Sequence, residues 1–251
     1  MTHLFGRLQP RGRPLELAAD NLAQCPQRQL TVALQGLPQW QDAELATLAR
    51  QQGHAQALLE GYHRHGVQVL QYLHGGFALV IHDSGNGSDL LATDRCGIVP
   101  LFHASDGGGL AFGSRADQVA AQPGAYGALN PQALYDYLYF HAVPGPETIF
   151  TGVRRLQPGE CLHWHAGQAN IEPYWTMEYR EDGLEGNPAE WRGRCLDLIR
   201  EGVHRRTDSG VKVGAFLSGG VDSSTVTGML SEVGEGPART YSIGFDAPGY
   251  D

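Results

Sequence analysis

Nine residues constrain this chain more than any others: Phe216-Leu217-Ser218-Gly219-Gly220-Val221-Asp222-Ser223-Ser224. Val211, Val213, Ala215 and Leu217 occupy alternate positions leading into them, the pattern of a buried strand. Thr225, Val226, Met229 and Leu230 follow at helical spacing, which predicts a helix from about Asp222. The joint between the two is Ser-Gly-Gly. Two glycines remove the Cβ atoms that would hold an anion away from the backbone. Amides at the start of the helix, with its dipole, attract negative charge. Ser218, Ser223 and Ser224 add hydroxyl donors, and Asp222 is a carboxylate suited to the magnesium that travels with a nucleotide. The stretch reads as a pyrophosphate cradle with a metal carboxylate built in. The plain alternative is a strand–turn–helix corner with Asp222 near a helix cap. No Gly-Lys-Ser/Thr is present, so the loop is not of the Walker type.

The 251 residues could form one large domain or two modest ones. A net charge of −9 without a basic run argues against nucleic-acid or anionic-membrane partners. No stretch approaches the ~20 apolar residues of a membrane span. Arg7, Arg11 and Arg13 precede no apolar segment, so no signal peptide is expected. Cys25, Cys96, Cys161 and Cys195 form no CxxC pair and read as reduced, buried thiols of a cytoplasmic protein. The sequence leaves oligomeric state open, and a homodimer is one arrangement it allows.

Taken in order, Met1 to Ala23 is weakly patterned. Gln29 to Leu34 predicts a short strand. Asp42 can cap a helix running to about Gln51, with Gly53 past its end. Ala55, Leu58, Leu59 and Tyr62 mark a second helix, and Val67, Leu70 and Leu73 a short third. Phe77 to His82 and Leu90 to Thr93 flank the hairpin signal Ser84-Gly85-Asn86-Gly87. Val99 to His103 and Leu110 to Gly113 predict a second hairpin, and Ser114 a short helix. Asn130-Pro131 opens a helix to about Phe140. Val153 to Leu156, Cys161 to His165 and Ala169 to Glu172 predict strands. Clustered strands flanked by helices predict an α+β sandwich. Tyr179 to Pro188 reads as a linker. Ala189 to Arg206 predicts a helix with Trp191, Cys195, Leu198, Ile199 and Val203 on one side. The cradle and the strand Thr240 to Phe245 then begin a doubly wound parallel α/β sheet. Two such strands and two helices cannot bury both sheet faces, so this end is expected to be the front of a larger domain.

The cradle string resembles the pyrophosphate-loop signature of ATP pyrophosphatase-type enzymes, which split ATP between its first two phosphates and make an acyl-adenylate. Ser242-Ile243-Gly244-Phe245 resembles the adenine-contacting strand of asparagine synthetases. By that resemblance Phe216, Leu217, Ser218, Gly219, Gly220, Asp222, Ser223, Ser224 and Ile243 bind ATP, and Asp222 holds Mg2+. Earlier in the chain, Leu73-His74-Gly75-Gly76-Phe77-Ala78-Leu79-Val80 with Asp83 resembles a strand of class II glutamine amidotransferases. Ala92 to Phe102 resembles their Arg-Asp-x-x-Gly-x-x-Pro-Leu-Tyr segment, and Phe112-Gly113-Ser114 their Phe-Ala-Ser-Glu. Thr148-Ile149-Phe150, Leu156-Gln157-Pro158-Gly159 and Tyr174-Trp175 are similar to the segment closing that domain in asparagine synthetases. The resemblance implies an αββα sandwich of the N-terminal-nucleophile-hydrolase type over residues 1–178, then the front part of an ATP-binding synthetase domain over residues 179–251. In that family the sandwich releases ammonia from glutamine, the second domain adenylates aspartate, and ammonia displaces AMP.

Departures from the family's pattern are as informative. Thr2 and His3, not a cysteine, follow Met1. The Asn-Gly-Glu segment falls at Gln35-Gly36-Leu37, and the acidic loop before the second helix is shortened to Gly53-His54-Ala55-Gln56. Nucleophile, oxyanion donor and ammonium carboxylate are all missing, so no catalytic residue is identified in the sandwich and no glutaminase activity is expected. The expected function is an ATP-dependent amide-forming ligase acting on a small carboxylate such as aspartate, with ammonia or another amine. Alternatives are an amide ligase of the β-lactam synthetase or lasso-cyclase kind, and a non-enzymatic fragment or pseudoenzyme. His63 with His65, and His163 with His165, are weak metal pairs. The first two do not share a helix face, and the second pair is read without a neighbouring carboxylate or cysteine. Arg154-Arg155 and Arg205-Arg206 read as solvated charge, and Asp94-Arg95 as a structural pair.

Overall fold

A computed structural model describes residues 4–9, 15–106, 108–124, 127–179, 187–207, 212–234 and 236–244. The chain divides into two compact units, Met1–Met177 and Glu178–Asp251, each considered by itself.

The first unit contains β1 (Leu4–Leu8), β2 (Glu16–Ala19), β3 (Leu22–Cys25), β4 (Leu30–Trp40), α1 (Ala43–Gln52), α2 (His54–His65), β5 (Leu73–Asp83) and β6 (Ser88–Thr93). It continues with β7 (Phe102–Ser105), β8 (Leu110–Gly113), α3 (Ala116–Ala120), α4 (Pro131–Phe140), β9 (Arg154–Arg155), β10 (Glu160–His165) and β11 (Gln168–Pro173). Two antiparallel sheets result, in the orders β2-β1-β8-β7-β9 and β11-β10-β6-β5-β4-β3. Leu4, Leu8, Leu110 and Phe112 of the first sheet pack on Ala33, Ala78, Val80, Leu91 and Trp164 of the second. The other face of the second sheet, with Phe77, Leu79 and Ile81, packs on Leu58 and Leu59 of α2. Val119 of α3 packs on Ala104 and Ala111 of the first sheet. The layers are therefore α, β, β, α. Strand β5 is buried on both faces, which is why its sequence is a continuous apolar run and not an alternating one.

Helix starts follow their caps. Asp42 accepts from the amides of Glu44 and Leu45, and Asn130 from those of Gln132 and Ala133. The N-terminal stretch, weakly patterned in sequence, instead forms three strands. β1 lies inside the first sheet, and Gly6 interrupts its apolar alternation because a Cβ there would collide with the Glu16 carbonyl and meet Phe112 at 2.6 Å. β4 runs on past Leu34 to Trp40 although Gly36 and Pro38 break the pattern, since it pairs with β5 along its whole length. The expected strand at Val99 begins only at Phe102. Pro100 has no amide to offer, and the Val99 amide is taken by Asp94.

His103 of β7 is buried opposite Phe112. Burial, with the nearby Arg154 charge, lowers its pKa from 6.5 to about 4. The unfolded chain binds that proton near pH 6.5 and the folded chain only near pH 4. Stability should therefore be full above the upper value and fall as pH drops through this window, by about 3 kcal/mol in all. Thermal melts from pH 7.5 to about 4.5 check this: His103→Gln should flatten the acid limb, and an unchanged slope would refute the assignment.

The second unit comprises α5 (Pro188–Thr207), β12 (Ala215–Phe216), α6 (Val221–Val233) and β13 (Thr240–Tyr241). β12 and β13 are parallel, Ala215 opposite Thr240 and Phe216 opposite Tyr241. Val213, Ala215 and Leu217 alternate as expected, but they are half-buried, and Val211 and Phe245 lie outside the described residues. Along α5, Trp191, Ile199 and Val203 turn partly inward, while Cys195 and Leu198 are exposed. The physical reason is the thin layer: among the described residues of this unit, α5 packs on α6, with Arg200 bonded to Glu232 at 3.2 Å. The four cysteines are free, as expected, but only Cys161 is buried. Cys195 faces out from α5, Cys96 sits in an exposed loop and Cys25 is half-buried.

Candidate functional site

At the end of β12 the chain turns through Ser218, Gly219 and Gly220 into α6. Gly219 has φ +81°, a conformation that favours glycine, and a Cβ there would meet nothing within 4 Å. A Cβ on Gly220 would meet only Ser218 Oγ, at 3.7 Å. Packing within the chain therefore does not require the second glycine. What it leaves is open space in front of the first turn of α6. Ser218 and Ser223 come together, with their hydroxyl oxygens 3.1 Å apart, and Ser223 Oγ donates to Gly220 O at 3.1 Å. The Ser218 amide donates to Ser223 Oγ at 3.3 Å.

The helix termini differ in a way that bears on chemistry. First-turn amides of α1, α2, α4 and α5 are taken by Asp42, Asn21, Asn130 and Asn187. Gly220 caps α6 with no side-chain hydrogen bond. The first-turn donors of α6, with the positive end of its dipole, face the space that the two glycines leave. Asp222 is exposed in that turn and makes none of the ion pairs found among the described residues. The chemistry of this donor set fits a phosphate group, and a free carboxylate beside it fits the magnesium that accompanies one.

Strand β13 brings the second part of the site alongside. Leu217 donates its amide to Tyr241 O at 2.9 Å, and Ser242 Oγ donates to Leu217 O at 2.7 Å. Ile243 follows at once and is 76% exposed, as Phe216 is at 75%. A largely apolar cleft of about 560 Å³ opens beside these elements, bounded by Val203 of α5, Ala215, Phe216, Asp222 and Val226. Ser242 opens the Ser-Ile-Gly-Phe string, but its part in holding the two strand ends together is visible only in the structure.

In the sandwich, Gln35, Gly36 and Leu37 lie within β4. Gly36 has φ +104°, and a Cβ there would collide with the carbonyl of Gly76 across the ladder. Leu37 is half exposed (50%) and offers no charge. His54 accepts the indole hydrogen of Trp40 at Nδ1, 3.2 Å away, and burial lowers its pKa. Thr2 and His3 lie outside the described residues.

Asp94 is structural, but Arg95 is not its partner. Its carboxylate accepts from the amides of Phe77, Cys96, Ile98 and Val99 at 2.9–3.2 Å. Arg95 lies over the Trp175 ring, 5.8 Å from its centroid. Arg155, read as solvated charge, is instead half-buried and donates to Gly97 O at 3.0 Å, because β9 runs beside the Asp94 loop. Arg154 and Arg205 are exposed and paired with Glu147 and Glu201. The reading that His163 has no suitable neighbour is also corrected. Cys161 stands two residues before it on the same face, and strand pairing brings Glu172 opposite Cys161.

The layered sandwich is that of a glutamine amidotransferase domain: the family model described as "Glutamine amidotransferase domain" matches residues 41–175. A second model, "Asparagine synthase", matches residues 194–251. The chain belongs to the asparagine synthetase family. It is 31% identical over 205 residues to a Mycobacterium tuberculosis protein provisionally named a glutamine-hydrolyzing asparagine synthetase, covering 79% of this chain and 31% of that one. It is 29% identical over 198 residues to asparagine synthetase [glutamine-hydrolyzing] 3 of Bacillus subtilis, covering 76% of this chain and 32% of that one. It is 30% identical over 182 residues to amidase chyE of Penicillium rubens, covering 68% of this chain and 25% of that one. The chain thus spans about a third or less of the length of these curated relatives. Among the described residues, no helix is long and apolar enough to cross a membrane.

Proposed function

We propose that the chain carries the ATP-binding front of an amide-forming ligase, joined to a glutaminase-like sandwich that no longer hydrolyses glutamine. One observation carries the first part: among the described residues, α6 is the helix of eight residues or more with no side chain found on its first-turn amides, and it opens on a glycine pair that packing does not fill. Those amides, with Ser218, Ser223 and Ser224, would hold the pyrophosphate of ATP. Asp222 would hold Mg2+, which neutralises phosphate charge. Phe216, Leu217 and Ile243 would border the nucleoside. A carboxylate oxygen of a small acid, aspartate being the family's own, would attack the α-phosphorus and release pyrophosphate. An amine nitrogen would then attack the acyl carbon and release AMP.

Leu37 and the uncharged His54 support the second part, since neither can bind the ammonium group of glutamine. Free ammonia or another amine is then the nitrogen source, and the same two residues favour, as a second reading, a ligase that closes on an amine of its own substrate. The test is ATP–pyrophosphate exchange by the product of the complete gene, with a panel of carboxylic acids and with glutamate release from glutamine followed in parallel. Exchange with at least one acid and glutamate at background is expected. Loss of an oxyanion donor alone typically costs ~10²–10³ in rate. Absence of exchange with every acid would leave a non-enzymatic role, and glutamate release that Thr2→Ala abolishes would show a working threonine nucleophile.

A further inference from the structure

We propose that Cys161, His163 and Glu172 form a binding site for a thiophilic divalent cation, zinc above all, on the edge hairpin of the six-stranded sheet. Nothing in the proposed ligase chemistry uses this hairpin. Cys161 and Glu172 are directly paired across β10 and β11, and His163 projects from the same face two residues on. One ligand atom from each lies within 4.8 Å of the other two. His163 Nε2 is 3.6 Å from Cys161 Sγ and 3.2 Å from Glu172 Oε1. Tetrahedral zinc, with bonds of ~2.3 Å to sulfur and ~2.0–2.2 Å to nitrogen and oxygen, needs separations of about 3.6 and 3.4 Å between those same atoms.

Hydrogen bonding alone does not satisfy the three groups. If Nε2 carries a hydrogen, it donates to Glu172 and cannot accept from the thiol. If Nε2 is bare, it accepts from the thiol and opposes the carboxylate with a lone pair. A cation at the centre resolves the conflict by taking a lone pair from each. The thiol proton leaves to solvent, and the thiolate and carboxylate together neutralise a divalent ion, which suits a partly buried place. Burial, with Glu172 and Glu160 adding negative charge, pushes the Cys161 thiol up to about 11, so without a cation it stays protonated and unreactive. The Glu172 side chain is 55% exposed, so water can reach the group and complete a fourth position.

The untagged chain, stripped with a chelator, is titrated with Zn2+ against a chromophoric competitor and, separately, with Co2+. One zinc per chain is expected, with about one proton released, and affinity should fall about tenfold or more in Cys161→Ser and in Glu172→Gln. Co2+ should give thiolate-to-metal charge-transfer absorption that Cys161→Ser lacks. Cys161 is buried and its substitution could loosen the core; Glu172 is exposed, so its variant keeps the fold and carries the test. No binding, or equal binding by wild type and Glu172→Gln with no charge-transfer band, would overturn the proposal and leave only a cross-strand polar contact.

Discussion

Asp222→Asn should abolish ATP–pyrophosphate exchange by the product of the complete gene, with a loss of ~10²–10³ or more, while thermal stability changes by no more than about 0.5 kcal/mol. The two halves of this expectation rest on different features. Asp222 is exposed at the start of α6 and has no ion-pair partner among the described residues, so its charge contributes to folding mainly through the helix dipole, a few tenths of a kcal/mol. Its carboxylate lies in the first turn beside the open glycine pair, where a phosphate-bound magnesium needs an anionic oxygen. The amide of Asn keeps the shape and removes the charge. Gly220→Ala separates the cradle from simple strain. Gly220 has φ −76°, which alanine adopts freely, and the new Cβ meets only Ser218 Oγ at 3.7 Å. Weakened ATP binding in that variant would come from blocking the ligand. Gly219→Ala would confound this with its positive φ. Unchanged exchange in Asp222→Asn, or unchanged ATP affinity in Gly220→Ala, would dismiss the cradle.

Asp94→Ala is expected to unfold the sandwich or bring it to the edge of unfolding. Asp94 is completely buried, and its carboxylate accepts four backbone amides. Its own carbonyl accepts the amides of Gly97 and Gly159. Alanine would take the acceptor from four donors, of which the Phe77 amide is buried and the other three part-buried, and a buried donor without a partner costs roughly 1–3 kcal/mol. With the lost packing of a completely buried side chain, a cost of about 2–4 kcal/mol is a large part of the 5–15 kcal/mol that holds a typical domain together. Asp94→Asn keeps one acceptor oxygen and places an NH2 where amides point, so it should fall between. Denaturant unfolding of the three proteins measures this, and a midpoint for Asp94→Ala close to wild type would show that water replaces the carboxylate at low cost.

Much of the fold was legible because local chemistry and burial agreed. Asp42 and Asn130 cap the helices that their positions predict. Phe77 to Ile81 reads as core because the strand is covered on both faces. The cradle was legible as a string, and the structure adds what a string cannot carry, namely Ser242 tying the strand ends and the bare first turn of α6. β1 was hidden because it is five residues long with a glycine at its centre, a residue fixed by Glu16 and Phe112 from neighbouring strands. The extension of β4 was hidden because its register comes from β5. Glu172 beside Cys161 depends on strand pairing, whereas Cys161 two residues before His163 is legible in the sequence itself. Burial of α5 was over-read, since apolar spacing marks a face but not whether anything packs on it.

Gly36 has a consequence for how such domains persist through time. Its left-handed backbone and the carbonyl facing it would exclude a side chain whether or not glutamine ever reached this strand. Gly97, at φ +63°, and Gly159, at φ +75° against the Trp175 backbone, are held by similar constraints, and Asp94 by its four amides. Asp94, Gly97 and Gly159 lie within residues 41–175, the stretch through which the sandwich is recognised. Selection for a folded chain alone would preserve them after selection for catalysis had ceased. A lineage that lost its nucleophile would therefore keep its family likeness, and inheritance of the architecture and inheritance of the reaction become separate histories written in different residues.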